Sequence, residues 1–146
     1  MDLLAKFRFF RHLSGGDDPQ SETFYRWHIE HRVKERMNAG LPTDKWKRTL
    51  SDYTSAAILL HDNMKRDGFD PGSPVPIDPD GELLGGAHRV ACALALGIDE
   101  IMVVDRPGIT CWAPEWGHDW FGMRMDRPDF EIFLAQFKEL MNGSNR

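Results

Sequence analysis

A hairpin pattern constrains the fold of this chain more than any other feature of its sequence. Two short runs with extended character, Val75–Asp78 and Glu82–Leu84, flank the pair Asp80 and Gly81. An Asp-Gly pair suits the tight turn of a hairpin, because glycine adopts positive φ without a steric penalty. The spacing therefore predicts two short strands joined by a turn.

The residues after the hairpin predict one helix and one more strand. Gly85 and Gly86 precede the run AHRVACALAL, whose alanines and leucines favour a helix, and Gly97 marks its end. Ile101–Val104 has the apolar composition of a buried strand. The order strand, turn, strand, helix, strand predicts a compact mixed α/β unit.

Helix signals also lie on the N-terminal side of the hairpin. Ser14–Gln20, rich in Gly, Asp and Pro, predicts a break, and Ser21–Met37 then carries apolar residues near helical spacing. Thr49 stands three residues before Asp52, which is the capping pattern that opens a helix, and Gly68 ends the apolar stripe that follows. We expect one helix in each of these two segments.

The C-terminal part of the chain divides into an aromatic stretch and a helix. Pro107–Met125 alternates Pro, Gly and Trp, a pattern that favours a packed irregular layer. From Pro128 to Met141 large apolar residues recur at helical spacing and predict an amphipathic helix. We expect the tail, Asn142–Arg146, to fray.

Composition indicates one soluble domain. The chain has 146 residues, 41% of them hydrophobic, which suits a single core. It shows neither a membrane-spanning apolar run nor a signal-peptide pattern. Two cysteines, Cys92 and Cys111, cannot form a disulfide framework or an all-cysteine zinc site. We expect a reduced cytoplasmic protein with no membrane partner and no structural metal, in which Cys92 is a small buried apolar residue.

Charge argues against a broad nucleic-acid interface. The formal net charge is -5, whereas proteins that hold duplex DNA usually carry a basic surplus. Basic residues concentrate at Lys6–Arg11, Arg32–Arg36 and Lys45–Arg48, each interleaved with acids or aromatics, which is typical of solvated helix faces. A small anionic ligand needs only one local positive pocket, so the acidic net charge of the chain is compatible with such a ligand. We do not expect DNA as a partner.

The turn before the Ala-rich helix has the chemistry of a phosphate site. Gly85 and Gly86 allow the backbone to approach a ligand closely, and the N–H groups that open a helix attract anions. Next to Ala87, His88 adds a switchable donor and Arg89 adds a fork that matches phosphate oxygens. The alternative is that the glycines only make a tight turn and Arg89 pairs with a surface acid.

The run IDPDGELLGGAHRVACALALGIDEIMVV resembles the core of the ParB/sulfiredoxin-like superfamily. In that family a hairpin leads into a Gly-x-His-Arg or Gly-x-Arg-Arg turn, a short Ala-rich helix and a strand. The resemblance covers roughly 53–107 and implies a single α/β (α+β) domain with a small mixed sheet. It makes 49–107 the core, 1–48 an N-terminal helical extension, and 108–146 an aromatic layer followed by a helix. It also implies a nucleotide diphosphate or triphosphate lying across the helix start, with Gly86, His88 and Arg89 at its phosphates.

Departures from the family pattern select among its activities. Sulfiredoxins place a nucleophilic cysteine where this chain has Ala87, so a thiolate mechanism is not expected. Chromosome-partitioning ParB proteins carry further DNA-binding and dimerisation domains that 146 residues would not accommodate, and the acidic balance also argues against them, so we do not expect that function. The free-amino-acid kinases of the family show Asp-Gly-His-His-Arg at the turn, where this chain has Gly85 for the Asp and Ala87 for the first His.

These observations predict a phosphotransferase that moves phosphate from ATP to a small hydroxylated metabolite. Such chemistry needs a phosphate cradle, usually Mg²⁺, and a carboxylate that takes the acceptor's proton. Asp44, Asp52 and Asp119 are the candidate carboxylates, and Lys47 is placed to steady phosphate. The alternatives are a non-catalytic nucleotide-binding or interaction module and, less favoured, a ParB-like nuclease.

Each candidate side chain also has a purely structural explanation. Capping alone accounts for Asp52, and Asp119 in the sequence WGHDW would cap a packed aromatic lid. On the earlier helix, His28, Glu30 and His31 are expected on a solvated face.

Overall fold

The computed structural model describes residues 1–40, 47–109 and 118–143. Helices dominate these ranges, and the sheet has only two strands. The elements in chain order are α1 (Asp2–Leu13), α2 (Ser21–Asn38), α3 (Leu50–Asp67), β1 (Val75–Ile77), α4 (Ala87–Ala95), β2 (Val103–Asp105), α5 (His118–Arg124) and α6 (Arg127–Gly143). The architecture agrees with the α+β class expected from the sequence.

The connection between α1 and α2 is held by an ion pair. Arg8 donates two hydrogen bonds of 2.6 Å to the two carboxylate oxygens of Asp18, and the Arg8 side chain is almost completely buried. The hydroxyl of Ser21 donates to the Asp18 carbonyl at 2.7 Å. The break predicted at Ser14–Gln20 is therefore confirmed as an ordered connection.

The capping pattern at the start of α3 is confirmed. Thr49 Oγ1 accepts from the Asp52 N–H at 3.2 Å, and Asp52 Oδ2 accepts from the Thr49 N–H at 2.8 Å. This reciprocal pair satisfies N–H groups that have no partner inside the helix. Gly68 ends the helix with φ +79°, as predicted.

The predicted hairpin is present in a reduced form. Residues 82–84 form no strand, and only an antiparallel bridge joins Ile77 to Leu83 across the turn at Gly81, whose φ is +85°. The regular partner of β1 is β2, which runs parallel to it with Val75 opposite Val103.

The strand expected at Ile101–Val104 is present as β2, Val103–Asp105, but the expectation that it is buried is wrong. Regular pairing begins at Val103, which is 46% exposed, and Met102 beside it is 50% exposed. Within the described ranges β2 pairs on one side only, with β1, so no second neighbour buries it.

The Ala-rich helix is confirmed as α4. Gly86 precedes it in the left-handed conformation, with φ +75°, and Gly97 follows its end with φ +69°. Ala91, Cys92 and Ala93 are buried.

Helix α1 packs more extensively against α4 than against any other element. Between and around them lies a core to which α1–α4 all contribute. Its buried members are Phe9, Phe10, Tyr25, Ile29, Val33, Tyr53, Ala57, Met64, Ala91, Cys92 and Ala93. Helices α1 and α2 thus contribute to the same core as α3 and α4.

The expectation of an irregular layer across Pro107–Met125 is wrong for its last part, which forms α5. Trp120 and Phe121 of α5 are buried in a second core with residues of α1, α2 and α6. Tertiary packing of large rings stabilises this short helix despite an unpromising local sequence. Residues 110–117, which include Cys111, lie outside the described residues. The helix predicted after Pro128 is confirmed as α6.

Candidate functional site

The start of α4 has the open backbone geometry that an anion site needs. Gly86 is left-handed, and within the described ranges the N–H groups of Ala87, His88 and Arg89 form no hydrogen bond. Unsatisfied N–H groups and the helix dipole give this end a positive potential. Gly85 precedes it, in ordinary contact distance of Pro76.

Arg89 lies against this helix start but is engaged elsewhere. Its Nη1 donates to the carbonyl oxygens of Ser73 and of Pro74, the latter at 3.0 Å. Its Nη2 would lie 2.9 Å from a Cβ atom placed on Gly86. The guanidinium therefore ties α4 to the loop before β1, and it pairs with carbonyls instead of the surface acid considered above.

His88 faces the interior of the helical layer. Its Nε2 lies 3.0 Å from Oη of Tyr25, and its ring makes edge contacts with Tyr25 and Phe10 and a stacked contact with Tyr53. The residue as a whole is half-buried. Burial, reinforced by the charge of Lys6, holds the pKa of His88 well below its usual value, so the imidazole is neutral near pH 7.

Cationic side chains from separate segments converge near His88. Lys6 of α1 is completely buried, and burial lowers its pKa to about 8 against the opposing charge of Asp2. The Arg32 guanidinium carbon lies 5.9 Å, and Lys47 Nζ 4.9 Å, from the centre of the Tyr53 ring. All three cations lower the pKa of His88, which places them within electrostatic reach of it.

Asp2 supplies the negative charge of this cluster. Its Oδ1 accepts hydrogen bonds from Lys6 Nζ and from Nε2 of the buried His28. Although burial acts in the opposite direction, Lys6 and His28 hold the pKa of Asp2 well below its usual value. We call Asp2, Lys6, His28, Arg32 and Lys47 the charged cluster.

Two expectations about solvated helix faces are wrong. Lys6 and Arg8 in the first basic run are buried, and so is His28 on α2. Each has a specific partner: Asp2 binds Lys6 and His28, and Asp18 binds Arg8. A buried charge is tolerated when a partner offsets its lost hydration. Glu30 is exposed, as expected.

The two predicted carboxylates within the described residues, Asp52 and Asp119, do not lie at the start of α4. Asp52 accepts from the N–H groups of Arg48 and Thr49 at the cap of α3, and these bonds hold its pKa below the usual value. Asp119 is exposed in the first turn of α5. Asp44 lies outside the described residues. Lys47, by contrast, lies close enough to affect His88.

Cys92 is the buried apolar residue that the sequence predicted, and burial raises the pKa of its thiol to about 12. No group of three or more potential metal ligands occurs within the ranges that the structure describes.

A cavity of about 270 Å³ lies between α2 and the start of α3, lined by Glu30, Val33, Lys34, Met37, Asn38 and Leu50. Its lining includes none of the predicted site residues.

The sequence analysis missed Asp2, Lys6, Tyr25 and Arg32 as members of the site. A signal was present in α1, where Leu3, Leu4, Phe7, Phe9 and Phe10 are distributed around the helix. A helix that is apolar on most sides is buried on most sides, so its charged residues also become internal. The convergence of these residues on His88 depends on helix packing and has no local signal.

Comparison with protein-family models, curated proteins and solved structures finds no match. Among the described residues, no helix combines the length and apolar content of a bilayer-spanning segment. Function is therefore inferred from the geometry and charge of the site alone.

Proposed function

We propose that this protein has the ParB/sulfiredoxin-like fold, binds ATP by its phosphates at the start of α4, and transfers phosphate to a small hydroxylated metabolite. The observation that supports this most strongly is the placement of Arg32 and Lys47 over the Tyr53 ring, which stacks on His88, close to helix N–H groups for which the described residues supply no hydrogen-bond partner. The short parallel sheet and the glycine turn before α4 are compatible with that fold.

The energetics of Lys6 favour an anionic ligand. Its pKa of about 8 means that burial disfavours its charged form even with Asp2 beside it. A phosphate group near the charged cluster would stabilise the ammonium ion and would itself be attracted. Electrostatic attraction of this kind is stronger in a partly desolvated site than in water.

The residues at the helix start fit a phosphate group. A Cβ atom on Gly86 would lie 2.9 Å from Arg89 Nη2, so the glycine lets the guanidinium lie against the helix start, and the described residues leave the N–H groups of Ala87, His88 and Arg89 without a hydrogen-bond partner. Arg89 would reach phosphate oxygens by giving up its bonds to the loop carbonyls. Asp2 is bound by Lys6 and His28, so its carboxylate would not serve as a ligand for Mg²⁺. The ion would instead arrive bound to the nucleotide and would neutralise part of the phosphate charge.

A second candidate function is a non-catalytic nucleotide-binding module. It is favoured by the position of Asp52, whose carboxylate is occupied in the helix cap and is not presented to the start of α4. Both functions require nucleotide binding, and only turnover separates them.

Calorimetry with ATP and Mg²⁺ tests the shared requirement. We expect the wild-type protein to bind and Lys47→Met to bind about tenfold more weakly, because a charge-assisted contact contributes roughly 1.5 kcal/mol. Lys65→Met is the matched control, since Lys65 is exposed in the last turn of α3. Absence of wild-type binding at millimolar ATP, or equal weakening in the two variants, would contradict the proposal.

Phosphorus NMR tests the chemistry. The protein is incubated with ATP, Mg²⁺ and a pool of small hydroxylated metabolites. Formation of ADP together with a new phosphate ester supports the phosphotransferase. Binding without consumption of ATP favours the non-catalytic module.

A further inference from the structure

We propose that His88 is the proton acceptor in this phosphotransfer and that Tyr25 positions it so that Nδ1 carries the lone pair. The inference rests on the proposed function and deepens it, because the two predicted carboxylates that the structure describes, Asp52 and Asp119, lie at the starts of α3 and α5 and not at the start of α4. His88 is the second residue of that helix, so its backbone lies at the proposed phosphate position, while its ring packs among Phe10, Tyr25 and Tyr53.

Hydrogen-bond geometry around Tyr25 points to the tautomer. The Tyr25 hydroxyl lies 3.0 Å from His88 Nε2 and 3.4 Å from the carbonyl oxygen of Tyr53. A hydroxyl has one hydrogen to donate, and a carbonyl oxygen can only accept. Both contacts are satisfied together only if Nε2–H donates to the hydroxyl and the hydroxyl donates to the carbonyl. Because the ring is neutral, Nδ1 then has no hydrogen.

Tyr25 is well suited to hold this arrangement. Its side chain is completely buried, and its ring stacks on Phe9 with centroids 4.2 Å apart. The His88 ring is confined by Phe10, Tyr25 and Tyr53. Within the described residues, Nδ1 has no hydrogen-bond partner, so no described group competes for its lone pair.

The charged groups around His88 make proton uptake depend on the ligand. Burial together with the positive charges of Lys6, Arg32 and Lys47 lowers the pKa of His88 and keeps the imidazole neutral, whereas the negative charge of Asp2 acts in the opposite direction. Tyr25 and Tyr53 face it as neutral rings. Bound phosphate would bring negative charge to the same place and raise the pKa of His88 toward its usual range. The base would then gain proton affinity when substrate is present.

The acceptor hydroxyl gives its proton to His88 Nδ1 as its oxygen bonds to the terminal phosphorus of ATP. The bond between that phosphorus and the bridging oxygen breaks, and ADP leaves with the electron pair. His88 then releases the proton to solvent, and the products are ADP, a phosphate ester and a proton.

Nitrogen NMR of uniformly ¹⁵N-labelled protein tests the tautomer without any substrate. The chain has six histidines, and the signals lost in His88→Gln assign the ring of interest. We expect a neutral ring at pH 7 with its hydrogen on Nε2, and a mixture of tautomers in Tyr25→Phe. A hydrogen on Nδ1, or a cationic ring, would overturn the inference whatever the protein binds.

Binding and turnover are then compared in the same variants. We expect His88→Gln to bind ATP within about threefold of wild type while ATP consumption falls about 100-fold or more. His12→Gln is the matched control, because His12 is exposed at the end of α1. Equal losses of binding and turnover in His88→Gln would make His88 a phosphate ligand and refute its role as a base. Failure of the wild-type protein to bind or consume ATP would instead refute the proposed function. Undiminished ATP consumption by His88→Gln would leave the proposed function standing and refute only the role of His88.

Discussion

Replacing Lys6 with methionine removes the buried ammonium while keeping a side chain of similar length. In the folded protein the pKa of Lys6 is about 8, against an ordinary value of 10.5. The unfolded chain therefore binds more protons between these two values, and the free energy of unfolding must rise with pH across that window. At ~1.4 kcal/mol per pKa unit, the full difference corresponds to about 3 kcal/mol.

Urea unfolding of both proteins at a series of pH values measures this contribution. Groups that titrate in the same range without interacting with Lys6 cancel in the difference between the two proteins, and acetylation of the Met1 amino group, which does interact with Lys6, removes its titration from both. Relative to Lys6→Met, we expect wild-type stability to increase by about 2 kcal/mol between about pH 7 and about pH 9.5. The Asp2 carboxylate retains His28 as a partner in the variant.

Lys65→Met is the control for this experiment, because the exposed Lys65 side chain stays hydrated in the folded protein. Its stability curve should run parallel to that of wild type. If the difference between wild type and Lys6→Met does not change with pH, Lys6 is not the desolvated ammonium described here, and the electrostatic support for an anion site is lost.

Two further substitutions test the framework around the site by urea unfolding. Gly86→Ala should destabilise the protein by about 1–2 kcal/mol, because alanine is strained at φ +75°. Gly85→Ala is the control and should be close to neutral, because its new Cβ atom would meet only an ordinary contact at 3.7 Å. Equal effects of the two substitutions would contradict the explanation by backbone strain. Asp18→Ala should cost about 3–5 kcal/mol, because it leaves Arg8 buried without its carboxylate. The exposed Asp17→Ala should change stability by less than about 0.5 kcal/mol, and a similarly small effect at Asp18 would show that the ion pair is unimportant.

Local chemistry made the helix boundaries predictable. The capping box of Thr49 and Asp52 and the positive φ of Gly68 act within a few residues, so their pattern is visible in the sequence. The same holds for α4, which starts after Gly86 and is followed by Gly97. Helix α5 was missed because packing of its rings in the second core stabilises it more than local propensity does.

The site was predicted only in part for the same reason. The sequence points to residues 85–89 because glycines, a histidine and an arginine are adjacent there. It does not show that Arg89 bonds to the loop carbonyls or that His88 contacts Tyr25, 63 residues away. It also misassigned Lys6 and His28 to solvent, because burial depends on which faces the neighbouring helices cover.

The sequence by itself determined where most helices begin and end and which turn exposes backbone N–H groups, because caps, glycines and apolar spacing act over one or two turns. Tertiary structure alone decided that α1 covers α4 and buries Lys6 with Asp2 and His28. Electrostatic interactions reach across space between segments far apart in the chain, and desolvation by packing sets their strength. The protonation states on which the proposed chemistry depends therefore follow from the fold and not from any local motif.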